Sequence, residues 1–155
     1  GAPPMGAVAV RRSIHDTITD AAPDDGVEFF HGYTWSAHPA SCAAALASLA
    51  IYEDEGLFER GQALSPVFLE ALFGLGDLGL VTDIRGYGLV AGIDLAPKDG
   101  QPGLRGNTVQ KALFDAGLHL KATGDCLILA PAFVMTESQI EEMCAILRKV
   151  IARQS

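Results

Sequence analysis

The pattern of apolar and polar positions changes texture about one third of the way along this chain. Met5-Gly6-Ala7-Val8-Ala9-Val10 is a run of small apolar residues that fits a buried parallel strand, and it gives way at Arg11-Arg12-Ser13 to a short helical pattern through Asp20. Pro23-Asp24-Asp25-Gly26 predicts a turn, Val27 to Phe30 a brief strand, and Gly32-Tyr33-Thr34-Trp35-Ser36 a polar, aromatic loop. An alanine-rich helix is expected from Pro39, which suits a first helical turn, with Gly56 as its stop. A second helix starts at Leu57, with Leu57, Leu64, Phe68, Leu72 and Leu75 at helical spacing. Pro66 predicts a kink or a late start in it, and Gly74-Leu75-Gly76 its end.

The remainder alternates strand and helix signals. Val81 to Arg85 and Leu89 to Leu95 read as an antiparallel hairpin about Gly86-Tyr87-Gly88. Asn107 to Ala116 reads as a helix closed by Gly117, and Leu118 to Ala122 with Cys126 to Leu129 as a second hairpin about Thr123-Gly124-Asp125. The last helix carries the clearest signals. Thr136 and Gln139 make a capping box, Ile140, Met143, Cys144, Leu147 and Ile151 form one apolar stripe, and Arg148, Lys149 and Arg153 sit towards the negative end of the helix dipole. The chain divides near Gly56 into a piece with sheet-edge and helix character and a compact α+β lobe.

Composition narrows the function. A hydrophobic share of 49% over 155 residues supports a genuine core without disulfide staples. Nineteen acidic against 11 basic side chains leave a formal charge of −8, which argues against a nucleic-acid surface and against disorder. No apolar run is long enough for a membrane span and no Lys/Arg cluster suggests a lipid surface, so no membrane role is expected. Cys42, Cys126 and Cys144 are an odd number of thiols in apolar sequence, pointing to a reducing, cytoplasmic home. The chain opens Gly1-Ala2-Pro3-Pro4-Met5 without a leader pattern, as expected of a mature or partial piece.

Candidate chemistry is sparse. Gly86-Tyr87-Gly88 lacks the third glycine and following helix of a dinucleotide fingerprint and reads as a turn. His31, His38 and Cys42 match no standard zinc spacing, and no metal is expected. Cys42 is one helical turn from His38, yet packing explains all three thiols better than nucleophilic chemistry. The hydroxyls of Thr34 and Ser36, with loop N–H groups beside a helix start, suit an anion such as phosphate, while Ser36 could equally cap the helix. Lys121 could bind a substrate carboxylate or simply snorkel at the surface.

Three segments carry a family likeness: Pro4-Met5-Gly6-Ala7-Val8, Phe29-Phe30-His31-Gly32-Tyr33-Thr34-Trp35-Ser36-Ala37-His38-Pro39, and Arg85-Gly86-Tyr87-Gly88-Leu89-Val90-Ala91-Gly92-Ile93-Asp94-Leu95. Together they resemble the C-terminal part of a class III pyridoxal-phosphate-dependent aminotransferase, of the ω-amino acid:pyruvate or β-alanine:pyruvate type. The likeness extends to Glu55-Gly56-Leu57-Phe58-Glu59-Arg60 and Thr123-Gly124-Asp125. It implies an α/β chain of fold type I, with residues 1–56 ending the large cofactor domain and 57–155 forming the small C-terminal α+β domain.

The same resemblance implies pyridoxal 5'-phosphate as cofactor, a small amine or ω-amino acid and a keto acid such as pyruvate as substrates, and the N-terminal half of the same enzyme as a partner. It implies a homodimer or higher homo-oligomer in which Thr34 reaches the neighbouring subunit's cofactor phosphate, with Tyr33 lining the site. The catalytic Schiff-base lysine is expected upstream of Gly1, and Lys98, Lys111, Lys121 and Lys149 match no such position, so the segment alone is expected to be inactive. Lys121 stands where relatives carry a carboxylate-clamping arginine, and it supplies charge without a planar two-pronged hydrogen bond. Ala37 replaces a glycine and Ala130-Pro131-Ala132 a double proline. The alternative is a non-catalytic α/β binding or assembly module.

Overall fold

The computed structural model describes residues 3–29, 31, 32 and 34–154, in two compact units, Gly1–Asp54 and Glu55–Ser155. The first unit holds two helices, α1 (Arg12–Asp20) and α2 (Pro39–Asp54). The segment 5–10 is not a strand. Met5 is 53% and Val8 90% exposed, because a buried parallel strand needs neighbours and no described residue of this unit belongs to a sheet. Residues 27–29 likewise form no strand, and Phe30 lies outside the described residues. The turn at Pro23 is present, closed by the Gly26 N–H donating to the Pro23 carbonyl at 3.0 Å.

The second unit is a four-stranded antiparallel sheet, order β1-β2-β4-β3, with β1 Val81–Tyr87, β2 Val90–Leu95, β3 Lys121–Thr123 and β4 Cys126–Leu129. Helices α3 (Leu57–Phe73), α4 (Leu104–Asp115) and α5 (Glu137–Ala152) cover one face. Ala91, Ile93, Leu127 and Leu129 alternate inward to meet Phe68, Leu72, Val109, Leu113, Ile140 and Leu147 in a single core.

The first hairpin and α3 differ from the pattern-based expectation, as do the start of α4, at Leu104 rather than Asn107, and β3, which is Lys121–Thr123 rather than Leu118–Ala122. The first hairpin turns at Gly88-Leu89 rather than Gly86–Gly88, since Tyr87 pairs with Val90 and Gly88 supplies the positive φ of +59° that a two-residue turn needs. Pro66 does not delay α3, which runs unbroken from Leu57 to Phe73. Pro66 and Gln62 are both exposed, so the Gln62 carbonyl that loses its helical partner faces water, while Leu64, Phe68 and Leu72 hold the other side in the core.

Three carboxylates of this unit, Asp77, Asp94 and Asp125, accept from donors on other elements. Arg148 of α5 donates to both Asp77 oxygens at 2.9 Å and also to the Gly74 carbonyl. Asp77 is held below the ordinary carboxylate range by Arg148, Asp94 by hydrogen bonds first from Arg85 and then from Cys126, and Asp125 by the amides of Gly103 and then Gly106. With folded values below unfolded ones, the unfolded chain takes up protons first on acidification. Their stabilisation is therefore complete above the ordinary carboxylate range and lost as pH falls through the lowered values. Urea midpoints are expected to fall steadily below about pH 4, and a midpoint as high at about pH 3 as at about pH 6 contradicts the linkage.

Candidate functional site

Thr34 begins the turn 34–37 that feeds α2. Ala37, the last residue of that turn, takes a left-handed φ of +56° just before His38 and the helix start at Pro39. His38, not Ser36, then caps the helix: the Ser41 N–H donates to His38 Nδ1 at 3.4 Å and the Cys42 N–H to its carbonyl at 3.0 Å. This contact gives His38 a structural use, in place of the metal ligation its residue type also allows. The ring of His31 stacks on Phe29 at 5.7 Å. Among the described residues no group of three His, Cys, Asp or Glu side chains could hold a metal ion.

Met5, Thr34, Ser36, His38, Ser41 and Cys42 share the lining of one open cavity of about 520 Å³. The described lining contains no carboxylate to repel an anion and no Lys or Arg to neutralise one. The first turn of α2 contributes little, because Pro39 has no N–H and the amides of Ser41 and Cys42 are used by His38. What is left for an anion is the Ala40 N–H and the loop hydroxyls. No hydrogen bond to a described residue engages Thr34 or Ser36. The donor set fits one edge of a phosphate whose charge is balanced elsewhere. Tyr33, expected beside Thr34, lies outside the described residues.

Lys121 opens β3 in the second unit. Leu120 and Ala122 turn into the core, so Lys121 projects from the face that α3, α4 and α5 leave uncovered. Register places it in one cross-strand row with Ile128, Gly92 and Arg85. Two cations thus share this face, and their environments differ. Arg85 donates to Asp83 at 2.8 Å and to both oxygens of Asp94, one of them at 3.1 Å, and Gly92 between them leaves room for its guanidinium to lie flat. No ion pair with a described residue engages Lys121. Arg85, with two carboxylates already on its fork, is the weaker candidate for an incoming carboxylate, and Lys121 the stronger. Cys126, 3.6 Å from Arg85, has its thiol pushed up by burial and by Asp94, which makes it a poor nucleophile.

Sequence reasoning placed Thr34 and Ser36 in one loop, and the cavity gathers both together with His38. It missed the contribution of Pro4, Met5 and Gly6 to that lining and the saturation of Arg85. Only the alternation of Asp83, Arg85 and Asp94 along two paired strands hinted at the latter.

A sequence model of the family described as "Aminotransferase class-III" matches residues 1–151. The chain is 41% identical over 150 residues to the omega-aminotransferase of Caulobacter vibrioides, covering 97% of this chain and 34% of that protein. It is 40% identical over 144 residues to the beta-alanine–pyruvate aminotransferase of Pseudomonas aeruginosa, covering 92% and 32%. Its fold is similar to the PMP-bound aminotransferase of Vibrio fluvialis, with a TM-score of 0.74, 30% identity, and coverage of 81% of this chain and 29% of that one. The chain spans about a third of the length of the curated relatives it matches. No described helix is long and apolar enough to cross a membrane.

Proposed function

The chain belongs to the class III aminotransferases and is an α/β portion of their fold; from that premise we propose that it is the C-terminal part of a cytoplasmic, homo-oligomeric enzyme that moves an amino group from an ω-amino acid or amine to a keto acid such as pyruvate. What carries this reading is identity of about 40% over nearly the whole chain to relatives named for ω-amino acid or β-alanine transamination. Pyridoxal 5'-phosphate, when bound, supplies the electron-withdrawing ring on which amino-group transfer depends. In this reading residues 1–56 end the large domain and 57–155 form the small one.

Thr34 donates its hydroxyl to the cofactor phosphate held by a neighbouring subunit, with Tyr33 beside it. A hydroxyl-lined cavity with no Lys or Arg among its described lining residues is consistent with that role, a phosphate there taking its charge partner from elsewhere in the enzyme. Lys121 meets the carboxylate of the keto acid. In this reading none of Lys98, Lys111, Lys121 and Lys149, which all belong to the second unit, is the lysine that bonds the cofactor, and the isolated segment is inactive.

The full-length protein, given an amine donor and pyruvate, is expected to form alanine. Thr34→Val, which keeps the shape and removes the hydroxyl, is expected to weaken cofactor binding about ten- to a hundredfold, read as release of cofactor on dialysis. Absence of transfer with every ω-amine and amino acid tried sinks the reading, and unchanged cofactor retention in the variant removes Thr34 from it.

A further inference from the structure

Lys121 stands on a three-residue edge strand paired on one side only, to β4. So short a strand is a poor mount for a recognition group, and helix α4 fastens it at both ends. Before Lys121, Gln110 Nε2 donates to the Leu120 carbonyl at 3.0 Å. After it, Asp125 in the hairpin turn accepts from the Gly103 N–H at 2.8 Å and the Gly106 N–H at 2.9 Å. These are the orphan amides of the first turn of α4, whose own N-cap residue, Gly103, offers no side chain. Gly106 lets the Gly124 carbonyl lie against the helix, since a Cβ there would meet that oxygen at 2.0 Å. The hairpin caps the helix and the helix anchors the hairpin, with Lys121 between the two attachments.

We propose that Asp125 and Gln110 are positioning residues for Lys121, holding its backbone so that the ammonium meets a substrate carboxylate at a set place, and so determine how strongly keto acids are preferred over uncharged acceptors. The inference rests on Lys121 being the carboxylate-binding group. An arginine brings directionality in its planar fork, whereas a lysine is a point charge on a flexible stem. With lysine at this place, aim has to come from the backbone that carries it, and two side-chain tethers within five residues supply that.

The test uses the full-length enzyme with pyruvate and with butanal, an acceptor without a carboxylate. Asp125→Ala and Gln110→Met are each expected to raise the KM for pyruvate about tenfold, leaving kcat and the KM for butanal within about twofold. In a Lys121→Ala background, neither is expected to raise the pyruvate KM further. Equal losses for both acceptors, or the same loss with and without Lys121, overturn the positioning role. If Lys121→Ala alone leaves the pyruvate KM unchanged, the carboxylate reading of Lys121 fails and this inference with it, while transamination itself stands. Should Asp125→Ala fail to fold, Gln110→Met, which removes the tether before Lys121 and leaves the helix cap, decides the matter.

Discussion

Gly106→Ala is expected to destabilise the second unit by about 1–4 kcal/mol, against the usual gain from alanine in a helix. The new methyl would lie 2.0 Å from the Gly124 carbonyl oxygen and 3.0 Å from Asp125 Cα. Both atoms are backbone and cannot swing aside as a side chain would. Helix α4 and the β3–β4 turn have to part, which costs about 1–3 kcal/mol as overpacking and loosens the Asp125 cap for about 1–2 more. The helix-propensity gain of about 1 kcal/mol offsets only part of that. The urea midpoint is expected to drop with the slope unchanged, and a midpoint at or above the wild-type value refutes the close contact.

A larger contrast is expected in hydrogen exchange along the 155-residue chain. Amides in α5 and the central strands should exchange about a thousandfold or more slowly than those of α2. No described residue of the first unit is buried, and Leu46 and Leu49 of α2 are 68% and 62% exposed. A helix of 16 residues without tertiary cover is marginal in water. The second unit buries Phe68, Ile93, Leu127, Ile140 and Leu147 completely. The exposed apolar side chains of the first unit should also bind a hydrophobic dye. If α2 proves as protected as α5, the first unit is stable by itself, and a free-standing binding or assembly module becomes the better account of the chain.

Elements whose signals are local were legible in the sequence. The capping box of Thr136 and Gln139 starts α5 as expected, with the Gln139 N–H donating to Thr136 Oγ1 at 3.3 Å and the Thr136 N–H to Gln139 Oε1 at 2.9 Å. Helical spacing likewise identified Leu57, Leu64, Phe68, Leu72 and Leu75 as core. The start of α4 was misplaced at Asn107 instead of Leu104, because its cap is Asp125, brought in from a different element. The run from Met5 to Val10 has strand composition, but composition cannot supply a neighbouring strand.

For the candidate site, the loop chemistry of Thr34 and Ser36 and the charge of Lys121 belong to residue type and were open to reading directly. Which polar groups are already spent was not. His38 rather than Ser36 caps α2 because Ala37 turns left-handed, and Arg85 rather than Lys121 is neutralised because register sets Asp94 beside it. The sequence by itself determined the helices, the core-facing residues and the stock of functional groups, since these follow from periodicity and from contacts within a few residues. Only the tertiary structure decided which cation is unpaired and what fastens the strand beneath it, since those partners meet across 9 to 22 residues of chain and no local pattern encodes the meeting.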